Sequence, residues 1–217
     1  MMDKFIEGEL SVAGHDLRIR EPKGDALGLM LFPGARVLLA VLAGLRDWHG
    51  VTVVELGAGT GAVAIGLAKL GAIVYATDFD ETALQNLKYN VQQNGVEDQV
   101  HVLRWDWAQK PPEELQSACL QYCVGSEVAY QSNSEILCRA LVSLKVLAPD
   151  IMYLLLVQER AARTVKTLFA SCQSAGFENV QLDVLPENSE EYRWVDEDVE
   201  DWGGQSFVPG VKSLLRF

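Results

Sequence analysis

The 217-residue chain is 49% hydrophobic and 22% charged, enough to bury a core in one ordinary domain without disulfide or metal staples. No apolar run is long enough to span a bilayer, and the start, Met1-Met2-Asp3-Lys4, has neither a signal core nor an Arg-rich leader. A cytoplasmic or nuclear protein with no membrane partner is therefore expected, and a monomer is the expected state. The formal net charge of -12 has the wrong sign for gripping nucleic-acid phosphates and suits a basic protein surface. Cys119, Cys123, Cys138 and Cys172 form no Cys-x-x-Cys pair, and His15, His49 and His101 are far apart. Reduced thiols and no metal site are expected.

Taken in order, Leu10 to Ile19 alternates around Ala13-Gly14-His15-Asp16 and predicts a small N-terminal hairpin. Val37, Leu38, Val41, Leu42 and Leu45 recur at helical spacing within residues 33–46. Residues 51–56 are a short buried strand, 60–70 a small-residue helix and 72–77 a second strand. Residues 80–93 form a helix with Leu84, Leu87 and Val91 on one face, stopped by Asn94-Gly95. Strands follow at 99–104, 120–125 and 151–157, with helices at 132–147 and 161–175. Residues 177–185 and 210–217 predict a closing strand pair, and 186–204 an exposed acidic loop. This alternation predicts an α/β, Rossmann-like fold: one domain over residues 1–217, with a seven-stranded, mostly parallel sheet, helices on both faces and a hairpin extension within 1–27.

Glu55-Leu56-Gly57-Ala58-Gly59-Thr60-Gly61 joins the first core strand to a helix. Its glycines allow a tight turn and close approach of a ligand to backbone N–H groups. Gly57-x-Gly59-x-x-Ala62, with Asp78 downstream, also satisfies the dinucleotide fingerprint. Glu55 favours S-adenosylmethionine instead: a carboxylate there attracts a sulfonium and an amino group and repels a pyrophosphate. Asp78 can accept the ribose hydroxyls, Phe79 can cover an adenine face, and Asp106-Trp107 falls where an adenine edge and face would lie.

The series Gly28-x-x-x-Phe32-x-x-Ala35-x-x-Leu38, Glu55 to Gly61, Thr77-Asp78, Trp105-Asp106-Trp107 and Gly125-Ser126-Glu127-Val128-Ala129-Tyr130 resembles the methyltransferase-16 family over residues 28–176. These are seven-β-strand protein methyltransferases, mostly lysine-specific. The resemblance implies S-adenosylmethionine contacts at Phe32, Gly57, Ala58, Gly59, Asp78, Trp107 and Ser126, and a substrate-lysine site at Glu127 and Tyr130. The protein partner would present an accessible lysine on a basic surface. The alternatives are a small-molecule methyltransferase and a degenerate methyltransferase fold that only binds a partner. The acids and aromatics of residues 187–201 are a candidate contact for that surface.

Overall fold

The computed structural model describes residues 5–22, 30–31, 33–129, 134–158, 164–177, 180–184 and 212–217. The acidic segment 187–201 lies outside them. The first elements are β1 (Phe5–Val12), β2 (His15–Pro22), α1 (Pro33–Leu45), β3 (Thr52–Leu56), α2 (Ala62–Lys69), β4 (Ile73–Asp78) and α3 (Glu81–Gln93). They are followed by β5 (Val100–Arg104), α4 (Glu113–Ser117), β6 (Tyr122–Ser126), α5 (Ser134–Leu147), β7 (Met152–Gln158), α6 (Thr164–Ser174), β8 (Gln181–Val184) and β9 (Lys212–Arg216).

Among the described residues, seven strands form one sheet in the order β5-β4-β3-β6-β7-β9-β8. β3 pairs in parallel with β4 on one side and with β6 on the other, so the chain order reverses there. In open α/β sheets such a switch point, at the carboxyl ends of the strands, is where ligands bind. β9 runs antiparallel to both neighbours, β7 and β8. Gln121 registers the switch point: its side chain accepts the Thr52 N–H at 2.9 Å and its own N–H donates to the Thr52 carbonyl at 2.9 Å.

The period-2 alternation of the strands sorts their side chains between two cores. Val53, Val74, Ala76, Val124, Leu154 and Leu156 face a layer with α1, α2, α3 and the hairpin. Val54, Leu56, Cys123, Tyr153, Leu155 and Val157 face α5 and α6 on the other side. Of the cysteines, Cys123, Cys138 and Cys172 are buried, Cys119 is exposed and all are free. Among the described residues no helix is long and apolar enough to cross a membrane.

β1 and β2 pair over their full length, beyond the alternating stretch of the sequence, and turn at Ala13-Gly14. Both turn residues have positive φ, 48° and 82°, the two-residue turn whose twist matches the strands. Leu17 and Ile19 are fully buried, each worth roughly 1.5–3 kcal/mol, and seat the hairpin on the helical layer. The five-residue α4 follows Pro112, where the sequence reads only as a loop.

Candidate active site

The turn after β3 sits at the switch point. Gly57, Gly59 and Gly61 have φ of 62°, 52° and 85°, a region costly for residues with a Cβ. Space adds a second constraint. A Cβ on Gly57 would lie 2.9 Å from Val128 Cγ1 and 3.6 Å from Trp107 Cζ2. One on Gly61 would overlap the Leu87 side chain. The turn is therefore packed between α3, the segment after β5 and the segment after β6.

Asp78, at the end of β4, is 8% exposed. One oxygen accepts the Gly59 N–H at 3.0 Å; the other accepts Phe79 and Asp80 N–H groups at 2.8 and 3.1 Å. Burial lifts its pKa above the usual carboxylate range, and these backbone donors oppose the shift. The carboxylate thus shapes the glycine turn from the end of β4. Asp80 caps α3 by accepting the Ala83 N–H at 2.9 Å, the ordinary role of an N-cap acid.

Glu55 is 2% exposed. Burial pushes its carboxyl up to about 8; the Ala64 N–H at the start of α2 partly opposes this and the charge of Asp78 adds to it. Trp107 is half-buried with its ring beside Gly57, whereas Phe79 is 67% exposed. Asp106 is exposed, and its side chain accepts the Ala108 N–H at 2.9 Å.

At the end of β6, Ser126 and Glu127 meet the start of α1. Glu127 Oε1 accepts the Gly34 N–H at 2.8 Å. A Cβ on Gly34 would stand 2.5 Å from that oxygen and 2.7 Å from Ser126 Oγ, so a larger residue would have to displace both side chains. Glu127 is 6% exposed with φ of 55°, and its own N–H donates to the Leu156 carbonyl at 2.8 Å. A non-glycine residue held in this region costs about 1–2 kcal/mol, and such strain clusters at functional sites. Gly34 escaped the sequence reading, although Pro33-Gly34 at a helix start was visible. Phe32 and Tyr130 lie outside the described residues.

Three buried polar atoms have no hydrogen-bond partner among the described residues: Glu55 Oε2, Trp107 Nε1 and Ser126 Oγ. Buried polar atoms are rarely left unpaired without a reason. These belong to the end of β3, the segment after β5 and the end of β6, all at one edge of the sheet. A cationic ligand with an amino group and a nitrogen-rich base fits this set: an acceptor, an indole donor and a hydroxyl. Of two open hollows among the described residues, one beside α3 and β5 and one between α5 and α6, neither contains Glu55, Asp78 or Glu127, while Trp107 lines the second.

The sheet order with its antiparallel β9, the glycine turn at the switch point and the acid ending the next strand define a class I, S-adenosylmethionine-dependent methyltransferase fold. More narrowly, the sequence profile described as lysine methyltransferase matches residues 11–174, and the chain belongs to that family. Among its relatives is the protein-lysine methyltransferase METTL21E of Bos taurus, 36% identical over 126 residues, covering 54% of this chain and 43% of that protein. The METTL21E of Mus musculus is 42% identical over 85 residues, covering 38% and 34%. The matches thus span less than half the length of these curated relatives. The 16S rRNA N2 G1207 methyltransferase of T. thermophilus, solved with AdoMet and guanosine, superposes with a TM-score of 0.62 at 16% identity, covering 98% of this chain and 50% of that one. At that identity the likeness speaks for the fold alone.

Glu55 gives the site a pH signature. Burial lifts its carboxyl from the ordinary carboxylate range to about 8, so the ligand-free protein holds a proton there at neutral pH. By linkage, the stability this group contributes is full below the unfolded value and is lost as pH rises through about 8. A cation placed beside it favours the ionised form, so binding S-adenosylmethionine should expel a proton. Between about pH 5.5 and about pH 7, below the titration of the ligand's own amino group, affinity should rise by up to about tenfold per pH unit. Calorimetry in buffers of different ionisation enthalpy measures that proton. Glu55→Gln should flatten the slope, and a flat wild-type profile would remove Glu55 from the cofactor's surroundings.

Proposed function

We propose that the protein transfers a methyl group from S-adenosylmethionine to the side-chain amine of a lysine in a protein substrate. The observation that carries this reading is the set of unpaired buried atoms around the glycine turn, with the buried, strained Glu127 beside them. Family membership and the activity named for METTL21E support a protein lysine as acceptor.

In this reading Glu55, Gly57, Ala58, Gly59, Asp78, Trp107 and Ser126 would hold the cofactor, with Phe32, Phe79 and Asp106 at its margins. Bound there, the cofactor supplies an electrophilic methyl on a sulfonium. The chain's part is to deliver the amine in line with it. Glu127, fixed at the end of β6 through Gly34, would orient the incoming ammonium with a charge-assisted hydrogen bond. Tyr130 would present a ring to the cation and narrow its path. Free lysine has a pKa of about 10.4, and exclusion of water on docking would lower it, favouring the neutral amine that attacks. Alignment then supplies most of the acceleration.

The net charge of -12 suits a basic acceptor surface, so transfer should slow as salt rises. The test is incubation of the wild-type chain with methyl-labelled S-adenosylmethionine and a cell lysate. Label in a discrete, protease-sensitive band supports the reading. Label confined to small molecules or to nuclease-sensitive material would overturn it.

A further inference from the structure

The structure assigns a positioning role to Asn90: it couples the cofactor turn to the N-terminal hairpin. This rests on the reading of that turn as the S-adenosylmethionine site. Asn86 and Asn90 on α3 and Asn94 at its C-cap follow one another at four-residue spacing and are buried, Asn90 completely. Together they pair with the free edge of β2 as a neighbouring strand would. Asn94 accepts the Arg18 N–H at 2.9 Å and donates to the Arg18 carbonyl at 2.8 Å. Asn90 does the same two residues on, accepting the Arg20 N–H at 2.9 Å and donating to the Arg20 carbonyl at 3.0 Å. Asn86 donates to the same carbonyl at 2.8 Å and accepts from Arg20 Nε at 2.9 Å. The Arg20 guanidinium also lies over the rings of Tyr89 and Phe5, 3.5 and 4.1 Å from their centroids.

Asn94 gives its second amide proton to the Asn90 carbonyl at 2.7 Å, whereas Asn90 reaches the glycine turn. Its amide also donates to the carbonyl of Thr60, inside the glycine turn, at 2.9 Å. Both amide protons and the oxygen are thereby used, and the same planar group fixes the turn and β2. The connection continues through further bonds. Glu21, on β2, accepts the Leu31 N–H at 2.7 Å, and Gly34, three residues later, donates to Glu127. A ligand that orders the turn therefore orders β2 and the approach to α1, and by reciprocity hairpin order raises affinity for that ligand.

The test uses the full chain with S-adenosylhomocysteine as probe, reading its Kd by calorimetry and the amide exchange of the hairpin by mass spectrometry. In the wild type the probe should slow exchange across β2. Asn90→Asp keeps the acceptor for Arg20 and loses both donated bonds. It should raise Kd by at least about tenfold, within the usual range of coupling, and leave hairpin exchange indifferent to the probe. Asn94→Ala loosens the hairpin without touching the turn. It should speed basal exchange, leave Kd within about threefold, below that range, and keep the response to the probe. If Asn90→Asp binds as the wild type does, or still transmits slowed exchange to β2, the inference is wrong. Should that variant not fold, the wild type decides: binding with unchanged hairpin exchange overturns the coupling, while slowed exchange abolished by the milder Asn90→Ser supports it. Failure of the wild type to bind the probe at all would instead overturn the cofactor reading.

Discussion

Asp78→Ala is expected to erase the thermal stabilisation that S-adenosylhomocysteine gives the wild-type protein. A ligand at a hundred times its Kd stabilises by about 2.7 kcal/mol, or roughly 5–11 °C for a chain of this size. The Asp78 carboxylate does two things at once. It faces the edge where the ribose is proposed to lie, and it holds the Gly59 N–H and those of Phe79 and Asp80. Removing it leaves the partly buried Gly59 donor unpaired, at about 1–3 kcal/mol, and releases a turn whose glycines sit at positive φ. A hundredfold rise in Kd, about 2.7 kcal/mol, brings the shift at the same ligand concentration close to zero. Asp78→Asn keeps one acceptor and should fall between. A full shift in the alanine variant, or a shift with NADH rather than with S-adenosylhomocysteine, would contradict the assignment.

Glu127→Gln is expected to separate chemistry from architecture. The glutamine oxygen can still accept the Gly34 N–H, so the start of α1 stays seated on β6. Melting temperature and cofactor affinity should then remain near wild type, the latter within a few-fold. What changes is the charge offered to a lysine ammonium. Hydrogen bonds to charged groups contribute about 1.5–3 kcal/mol, so the rate of transfer should fall roughly 10- to 100-fold. Glu127→Ala abandons Gly34 as well and should lose stability along with rate. Tyr130→Phe and Tyr130→Ala test the hydroxyl and the ring in turn. Normal rates in all of these variants would remove the acid-x-x-Tyr motif from the substrate site.

The sheet and its helices were legible because their signals are local. Short buried apolar runs marked the strands to within a residue or two over the central sheet, and Asp80 and Asn94-Gly95 marked the limits of α3. The glycine turn was legible because positive φ and close packing both demand glycine. The contacts that fix the site were not, because they join residues far apart in sequence. Leu84, Leu87 and Val91 announced the apolar face of α3, but the asparagine stripe beside it reads as solvated surface until β2 is seen alongside. Gly34 reads as part of a helix start until Ser126 and Glu127 close over it. Asp78 read as a ribose ligand alone, since nothing in its neighbours' identities tells that its oxygens turn back on Gly59. Short α4 has too few residues to show a period.

The central claim is that a lysine side chain is methylated, and identifying the modified amino acid tests it most directly. A labelled acceptor protein from the lysate reaction should be hydrolysed to its amino acids and the labelled species separated. Methyllysine is the expected species, formed by the wild-type chain and lost with Asp78→Ala. Label recovered on glutamine, arginine or a carboxyl group, or methyllysine formed equally by the Asp78→Ala variant, would contradict it.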